Sequence, residues 1–349
     1  MDGVALRSRD TVDASSSFPI HFHIVGRIEA GQQWNAPLGP NEAIWIGTGS
    51  ALPVDCDTVL PIESIAPRGN WFELTAPCAP GRHVRPAGED IRAGTVAVTA
   101  GIAIRPQDIG LIAALGLESV PVIRRPTVGV VSIGQELEAD AKPTQVADAN
   151  GPMLAALMTE AGAEIRWTAR VDNSVDRLRS LLDDPLEPCD LIVSSGGISN
   201  GNADTMTQVL SKDPAAELWT VRLRPGKHFG VAFHEGHTLI ALPGNPIAAL
   251  VGCMLFAHAA IDRLAGRADR SPSKARIVET ASGSSGRTDA LRGYAWLDES
   301  GQLLARPAEN RGSAVLSSLG AANCLILIPE ERAALPPGDI AEIRWLGYQ

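Results

Sequence analysis

The chain has 349 residues, 45% hydrophobic and 20% charged, with a formal net charge of −10. That is apolar material for roughly two to four domains, and an acidic balance that argues against nucleic acid as the main partner. No uninterrupted apolar run of about eighteen residues marks a membrane span, and no basic-then-apolar leader opens the chain. The five cysteines are scattered without a Cys-x-x-Cys pair, so the expectation is small buried residues in a protein of the reducing cytoplasm.

From Phe18 to about Pro80 the pattern is one of short strands, His21 to Ile28, Glu42 to Thr48, Asp57 to Ile62 and Trp71 to Thr75, separated by Gly, Pro and Asn. This predicts a small β barrel or sandwich. His21 and His23 share a strand face, but with no third ligand nearby they are expected to serve packing or the surface. Arg82 to Arg125 holds a loop through Glu89 and Asp90, then a short apolar helix at Ile109 to Leu117.

Residues 126 to about 268 alternate strands and helices. Strand Val128 to Ile133, helix Pro152 to Ala161, strand Ile165 to Ala169, helix Val175 to Leu182 and strand Leu191 to Val193 predict a doubly wound, mostly parallel α/β sheet, whose ligands sit at the carboxyl ends of the strands. The last strand breaks into Ser194-Ser195-Gly196-Gly197, and a helical pattern resumes near Asp204. Paired glycines let backbone approach a ligand, and free N–H groups at such a turn attract anions, a phosphate being the natural guest. Downstream, Arg222, Arg224 and Lys227 surround a Pro-Gly turn, the two arginines on one face of an expected strand. Strand Thr238 to Leu242 leads to Pro243-Gly244-Asn245-Pro246, where Asn245 can cap a helix and Pro246 occupy its first turn. His234 and His237 flank an expected hairpin turn. Ala275 to Trp345 reads as a small β domain, with strands at Ile277 to Thr280, Leu291 to Leu297, Leu303 to Pro307, Cys324 to Ile328 and Ile340 to Trp345, and a helical stretch at Ser313 to Leu319.

These segments, in this order, resemble the MoeA/gephyrin family of molybdopterin molybdenumtransferases. The resemblance is carried by Met1-Asp2-Gly3-Val4-Ala5, Thr48-Gly49-Ser50-Ala51-Leu52-Pro53 running to Glu63, Gly88-Glu89-Asp90-Ile91-Arg92-Ala93-Gly94, Gly134-Gln135-Glu136-Leu137, Ser195 to Asp204, Arg224 to Lys227 and Leu242 to Pro246. It covers nearly the whole chain. It implies an elongated first domain from residues 1–12 and 82–125, an inserted small β domain at 13–81, an α/β molybdopterin-binding domain at 126–270 and a C-terminal β domain at 271–349.

The implied activity belongs to molybdenum cofactor biosynthesis: adenylylated molybdopterin and molybdate are the substrates, AMP leaves, and Mg2+ assists. Asp2, Asp90, Glu136, Asp172 and Asp204 fall where the family carries functional acids, with Glu136, Asp204 and Asp90 implied for the metal. Ser195, Gly196, Gly197, Ser199, Arg222, Arg224, Gly226, Lys227, Pro243, Gly244, Asn245 and Pro246 are implied to hold the pterin and its phosphates. The resemblance also implies a homodimer, with an adenylyltransferase and recipient molybdoenzymes as partners.

Three departures stand out. Gln135 occupies a position where the family commonly has Asp, and an amide lacks the charge of a carboxylate. Thr220 stands where members often carry lysine, and Arg222 is the expected substitute. About fifty residues of helical segments usually precede the Met1-Asp2-Gly3 motif, so the start is expected to have been called late or the chain to be a shortened form. These differences leave two other expectations open, a non-catalytic molybdopterin carrier and a molybdopterin adenylyltransferase. The two β domains count against the latter.

Overall fold

The structure, a computed structural model, describes residues 2–134, 137–138, 146–199, 204–234, 236–268, 270–309 and 316–347. The chain divides into two compact units, Met1–Thr99 and Ala100–Gln349. In the first, β1 (Gly3–Leu6), β2 (Ile20–Ile28), β3 (Glu42–Ile46), β4 (Thr58–Pro61) and β5 (Trp71–Leu74) form one sheet in the order β4-β1-β3-β2-β5. All four residues of β1 are buried, as two flanking strands and a core on each side require. The opening residues therefore belong to the same sheet as the strands expected of an inserted domain. Arg7, just beyond β1, is 8% exposed and donates through Nη1 to the carbonyl of Leu38 at 2.8 Å and through Nε to Asp10 Oδ2 at 2.8 Å. His21 and His23 are both exposed, His21 with its ring tilted against Trp71 at 5.2 Å between centroids and His23 beside the side-chain amide of Asn70.

The second unit begins with α1 (Pro106–Ala114), then β6 (Thr127–Ile133), β7 (Leu137–Glu138), β8 (Val146–Ala147), α2 (Asn150–Glu160), β9 (Glu164–Val171), α3 (Val175–Asp183), β10 (Leu191–Ser195), α4 (Thr205–Leu210), β11 (Ala216–Thr220), β12 (Leu223–Arg224), β13 (His228–His234) and β14 (His237–Leu242). Six of these strands make one sheet, β11-β13-β14-β10-β6-β9, in which β14, β10, β6 and β9 run parallel and β13 and β11 are antiparallel. Every residue of β6 and β10 is buried, the near-continuous apolar run of a strand covered on both faces. One face carries Val131, Ile192 and Leu239 against Leu178 and Leu182 of α3 and Met206 and Leu210 of α4. The other carries Val130, Val193 and Leu242 against Leu154 and Met158 of α2 and the helix after β14.

That helix runs from α5 (Pro246–Gly252) through a π turn at Cys253–Ala257 into α6 (His258–Leu264). It is long and apolar enough to cross a membrane, yet 61% of its most apolar window is buried, as expected of a core helix. The remaining strands are β15 (Ser273–Ile277), β16 (Ala281–Ser282), β17 (Thr288–Leu297), β18 (Leu303–Pro307), β19 (Cys324–Ile328), β20 (Ala334–Leu335) and β21 (Ile340–Trp345). The ring β17-β18-β15-β21-β19 closes back on β17, with β12 added at the outside of β17. Ala275, Ala295, Ala305 and Ala341 fill its interior beside Ile277, Ile326 and Ile343, small side chains suiting a narrow barrel.

Several boundaries differ from expectation; α1 runs over Pro106–Ala114 rather than Ile109 to Leu117, and β17 starts at Thr288 rather than Leu291. The strand placed at Ile277 to Thr280 lies earlier, at Ser273–Ile277, because Ala275 and Ile277 are the buried pair. The helical stretch at Ser313 to Leu319 is a single 3-10 turn over Leu316–Leu319, its first residues lying outside the described ones. All five cysteines are buried and unpaired, and burial raises each thiol pKa.

His258 is 6% exposed at the start of α6. Burial and then Arg270 lower its pKa from 6.5 to about 4. The folded protein keeps this imidazole neutral while the unfolded chain takes up a proton, so stability contributed at neutral pH is lost as pH falls from about 6.5 toward 4. The variant His258→Met should flatten that part of the curve, by about 2 kcal/mol at pH 5, read from urea midpoints at pH 7 and 5.

Candidate functional site

The order of the central sheet fixes where a ligand can lie. From β6 the chain passes through α2 to β9 on one side, then returns through α3 on the opposite face to β10 on the other side of β6. The loops after β6 and β10 therefore part at their carboxyl ends and leave a crevice, as at other topological switch points. A cavity of about 310 Å³ occupies this place. Ile133 and Gly134 line it from β6, Ser195 to Gly197 from β10, Gly244 from the loop after β14, and Asn150, Asn173, Asp204 and Thr205 from helix starts.

The cavity floor depends on close backbone packing. Gly196 has φ +104, and a Cβ there would come within 2.1 Å of the carbonyl oxygen of Ile133. A Cβ on Gly244 would stand 3.3 Å from the Cα of Gly196. The two glycine loops thus lie against each other, and Gly196 N–H donates to the carbonyl of Leu242 at 3.0 Å.

Asn150 bolts a third loop to this pair. Its Nδ2 donates to Ser195 Oγ at 2.8 Å and to the carbonyl of Gly244 at 2.7 Å, while Ser195 Oγ donates to the carbonyl of Pro243 at 2.9 Å. The starts of α2 and of the loops after β10 and β14 are joined through one amide. Its Oδ1 is buried without a hydrogen-bond partner among the described residues.

Asp204 is the acid that the fold brings to the cavity. It stands at the N-cap of α4, where its carbonyl accepts from Gln208 N–H at 2.9 Å. The carboxylate makes no capping bond to the helix, unusual for an aspartate in that position, and Oδ2 is buried without a partner among the described residues. A hard anionic oxygen in that state is complementary to a cation or to a donor on a ligand.

The other expected acids are distributed. Asp172 pairs with Arg177 Nη1 at 3.0 Å, and Asn173 beside it lines the cavity instead. Asp2 and Asp90 belong to the first unit. Asp2 accepts from Thr48 N–H at 2.7 Å and Oγ1 at 2.8 Å, bonds that lower its pKa, and Asp90 is exposed. Glu136 and Gln135 lie outside the described residues. Among the described residues no group of three or more His, Cys, Asp or Glu could hold a metal ion.

The expected anion donors are partly engaged. Asn245 caps α5 as foreseen, its Oδ1 accepting from Ile247 N–H at 3.0 Å and Ala248 N–H at 3.3 Å, with Pro246 in the first turn. Those two helix donors are thereby directed to the cap rather than to a phosphate. Arg222 pairs with Glu330 at 3.1 Å and Arg224 with Asp289, both acids of the C-terminal barrel, and the expected strand of the two arginines shrinks to Leu223–Arg224. Lys227 has no ion-pair partner among the described residues. Gly226 adopts φ +106 and lies against α5, where a Cβ would be 3.5 Å from the carbonyl oxygen of Ala248. Burial and the neighbouring Lys227 lower the pKa of His228, while the charge of Asp204 opposes them. Ser199 is exposed beyond the glycine loop.

Asn150 and Asn173 escaped sequence reading. The signal was present: polar residues between a strand end and a helix start, in the same setting as the glycine loops.

A cavity at the switch point of a sheet wound on both faces, floored by glycine loops, defines a doubly wound α/β protein of the cofactor-binding class. Three family models match the chain in succession: "MoeA N-terminal region (domain I and II)" over residues 1–116, "Probable molybdopterin binding domain" over 129–263 and "MoeA C-terminal region (domain IV)" over 274–345. The chain belongs to the MoeA family. It is 32% identical over 355 residues to molybdopterin molybdenumtransferase 2 of Mycobacterium tuberculosis, covering 98% of this chain and 87% of that protein. The molybdopterin molybdenumtransferase of Staphylococcus aureus is 28% identical over 348 residues, with 98% and 83% covered. Two crystal structures of the molybdopterin biosynthesis moeA protein from Pyrococcus horikoshii align over 98% of this chain, at TM-scores of 0.85 and 0.78 with 28% and 25% identity, covering 85% and 86% of those chains.

The Asn150 bolt makes a sharp prediction. Asn150→Asp exchanges the amide donor for an acceptor of the same size, so both bonds to Ser195 and Gly244 are lost. We expect about 2 kcal/mol of destabilisation, measured by denaturant unfolding.

Proposed function

We propose that this protein is a molybdopterin molybdenumtransferase of molybdenum cofactor biosynthesis. In this reading it takes adenylylated molybdopterin and molybdate, releases AMP and leaves molybdenum on the dithiolene. The observation that carries it is the unpartnered Asp204 carboxylate oxygen in a glycine-floored cavity, within a domain that matches a molybdopterin-binding model. The names borne by the relatives support the same reaction.

Both substrates are anions, so bringing them together requires positioning and compensating charge more than covalent chemistry by the protein. Gly196, Gly197 and Gly244 leave space for the ligand close to backbone. Ser195, held by Asn150, fixes the wall. Arg222, Arg224 and Lys227 are assigned to the phosphates, with Ser199, Gly226 and the loop Pro243, Asn245 and Pro246 shaping the rim. Asp172, Asp2, Asp90 and Glu136 are assigned as further acids of the reaction.

A divalent cation suits Asp204, because its buried oxygen is a hard acceptor with no partner among the described residues. Asp204 would hold Mg2+, and the ion would neutralise charge on the phosphates.

The test is to mix the protein with adenylylated molybdopterin, Mg2+ and molybdate and to measure AMP. Molybdate-dependent release is expected, and Asp204→Asn should lower its rate about a hundredfold or more while leaving thermal unfolding within about 2 °C. Tight binding of the pterin without AMP release would replace the transferase by a carrier.

We also assign a homodimer. In the segment around α1, Ile109, Leu115, Leu117, Val122 and Ile123 are 42–67% exposed, an apolar surface suited to a second copy. Ile109→Lys should shift the mass in solution from dimer toward monomer by light scattering; an unchanged mass would remove α1 from the interface.

A further inference from the structure

Two of the three cations in the turn at 222–227 are met by the C-terminal barrel. Strand β12 lies parallel to β17 with Arg224 opposite Asp289, and Thr288 N–H donates to the carbonyl of Arg222 at 2.8 Å. The side chains repeat this backbone stitch. Arg224 approaches Asp289 Oδ1, and Arg222 approaches Glu330 Oε2 at 3.1 Å, each through Nε.

The two pairs differ in kind. Arg222 is 73% exposed and Glu330 33%, so water and salt screen their attraction. Asp289 is fully buried, and its second oxygen accepts from Ser284 N–H at 2.5 Å, which leaves the carboxylate one orientation. A guanidinium is a planar fork of five N–H donors. Oδ1 of Asp289 makes no hydrogen bond among the described residues, so Arg224 is held by charge: the close ion pair sets the carboxylate on the Nε side of the guanidinium and leaves the terminal edge, Nη1 and Nη2, for a second anion. Arg224 is 42% exposed, so a ligand has access to its side chain.

We propose that Asp289 is a positioning residue, which sets the guanidinium of Arg224 to receive a phosphate of the adenylylated pterin while itself touching no ligand. The C-terminal barrel thus contributes to the affinity of a site built in another domain. This rests on the reading above that Arg224 meets the ligand's phosphates.

The experiment is a double-mutant cycle on the full-length protein: Asp289→Asn, Arg224→Ala and the double variant, each with binding of adenylylated molybdopterin and thermal unfolding. Asparagine keeps an acceptor for Ser284 N–H and removes the charge. Asp289→Asn should weaken binding about tenfold when Arg224 is present and less than about twofold in the Arg224→Ala background. Equal losses in both backgrounds, or no loss in either, would overturn the proposal, since Asp289 would then act on the fold alone or not at all. Should Asp289→Asn fail to fold, Asp289→Glu enters the same cycle, its longer arm displacing the fork with the charge kept, and the same outcomes decide. If the unaltered protein does not bind the adenylylated pterin, the functional reading falls. The cycle is then run with inorganic pyrophosphate, and absence of binding there would end the positioning claim as well.

Discussion

The site depends on how closely two backbones approach at the carboxyl edge of the central sheet. With a Cβ on Gly196 the loop after β10 could not rest on the carbonyl of Ile133, and the neighbouring loop after β14 would lose its seat. Everything polar in the cavity is referred to that contact: Ser195 precedes the glycine, Asn150 ties the two loops to α2, and Asp204 follows on the helix that the loop feeds. The parallel strands supply the rigidity. Covered on both faces, they hold their ends in place while the loops remain free to specialise.

Charge is organised in layers around this point. The chain as a whole is acidic, and over distances beyond about 8 Å that excess is largely screened. Locally the balance differs: Asp204 lines the cavity, and Arg222, Arg224 and Lys227 crowd a single turn. Two of the cations are already matched by carboxylates. Such pairing lowers the cost of crowding like charges in one turn and restricts the directions in which the guanidinium groups can point.

Much of this was legible in the sequence, and the reasons are local. The alternation of strand and helix over 126–268, the glycine pair at 196–197 and the Asn245-Pro246 helix start each depend on residues close in sequence. The partners were not legible. Nothing near Asn150 shows that its amide will meet Ser195 and Gly244, and nothing near Arg224 shows that Asp289 will stand opposite it. The same holds for Asp172, whose ion pair with Arg177 of α3 and whose neighbour Asn173 on the cavity wall are not apparent from its loop position. The antiparallel strand β11 also escaped notice, because a mostly exposed edge strand lacks the apolar run that marks β6 and β10.

The short strand β12 has an architectural consequence. It is a segment of the α/β region by sequence, yet its ladder bonds are made to a barrel whose five ring strands all come later in the chain. A truncation before β15 would leave that ladder open and strip Arg222 and Arg224 of their counter-ions. The barrel is therefore not an appendage that recombination could trade freely: the two halves of this unit share one seam and must be inherited together.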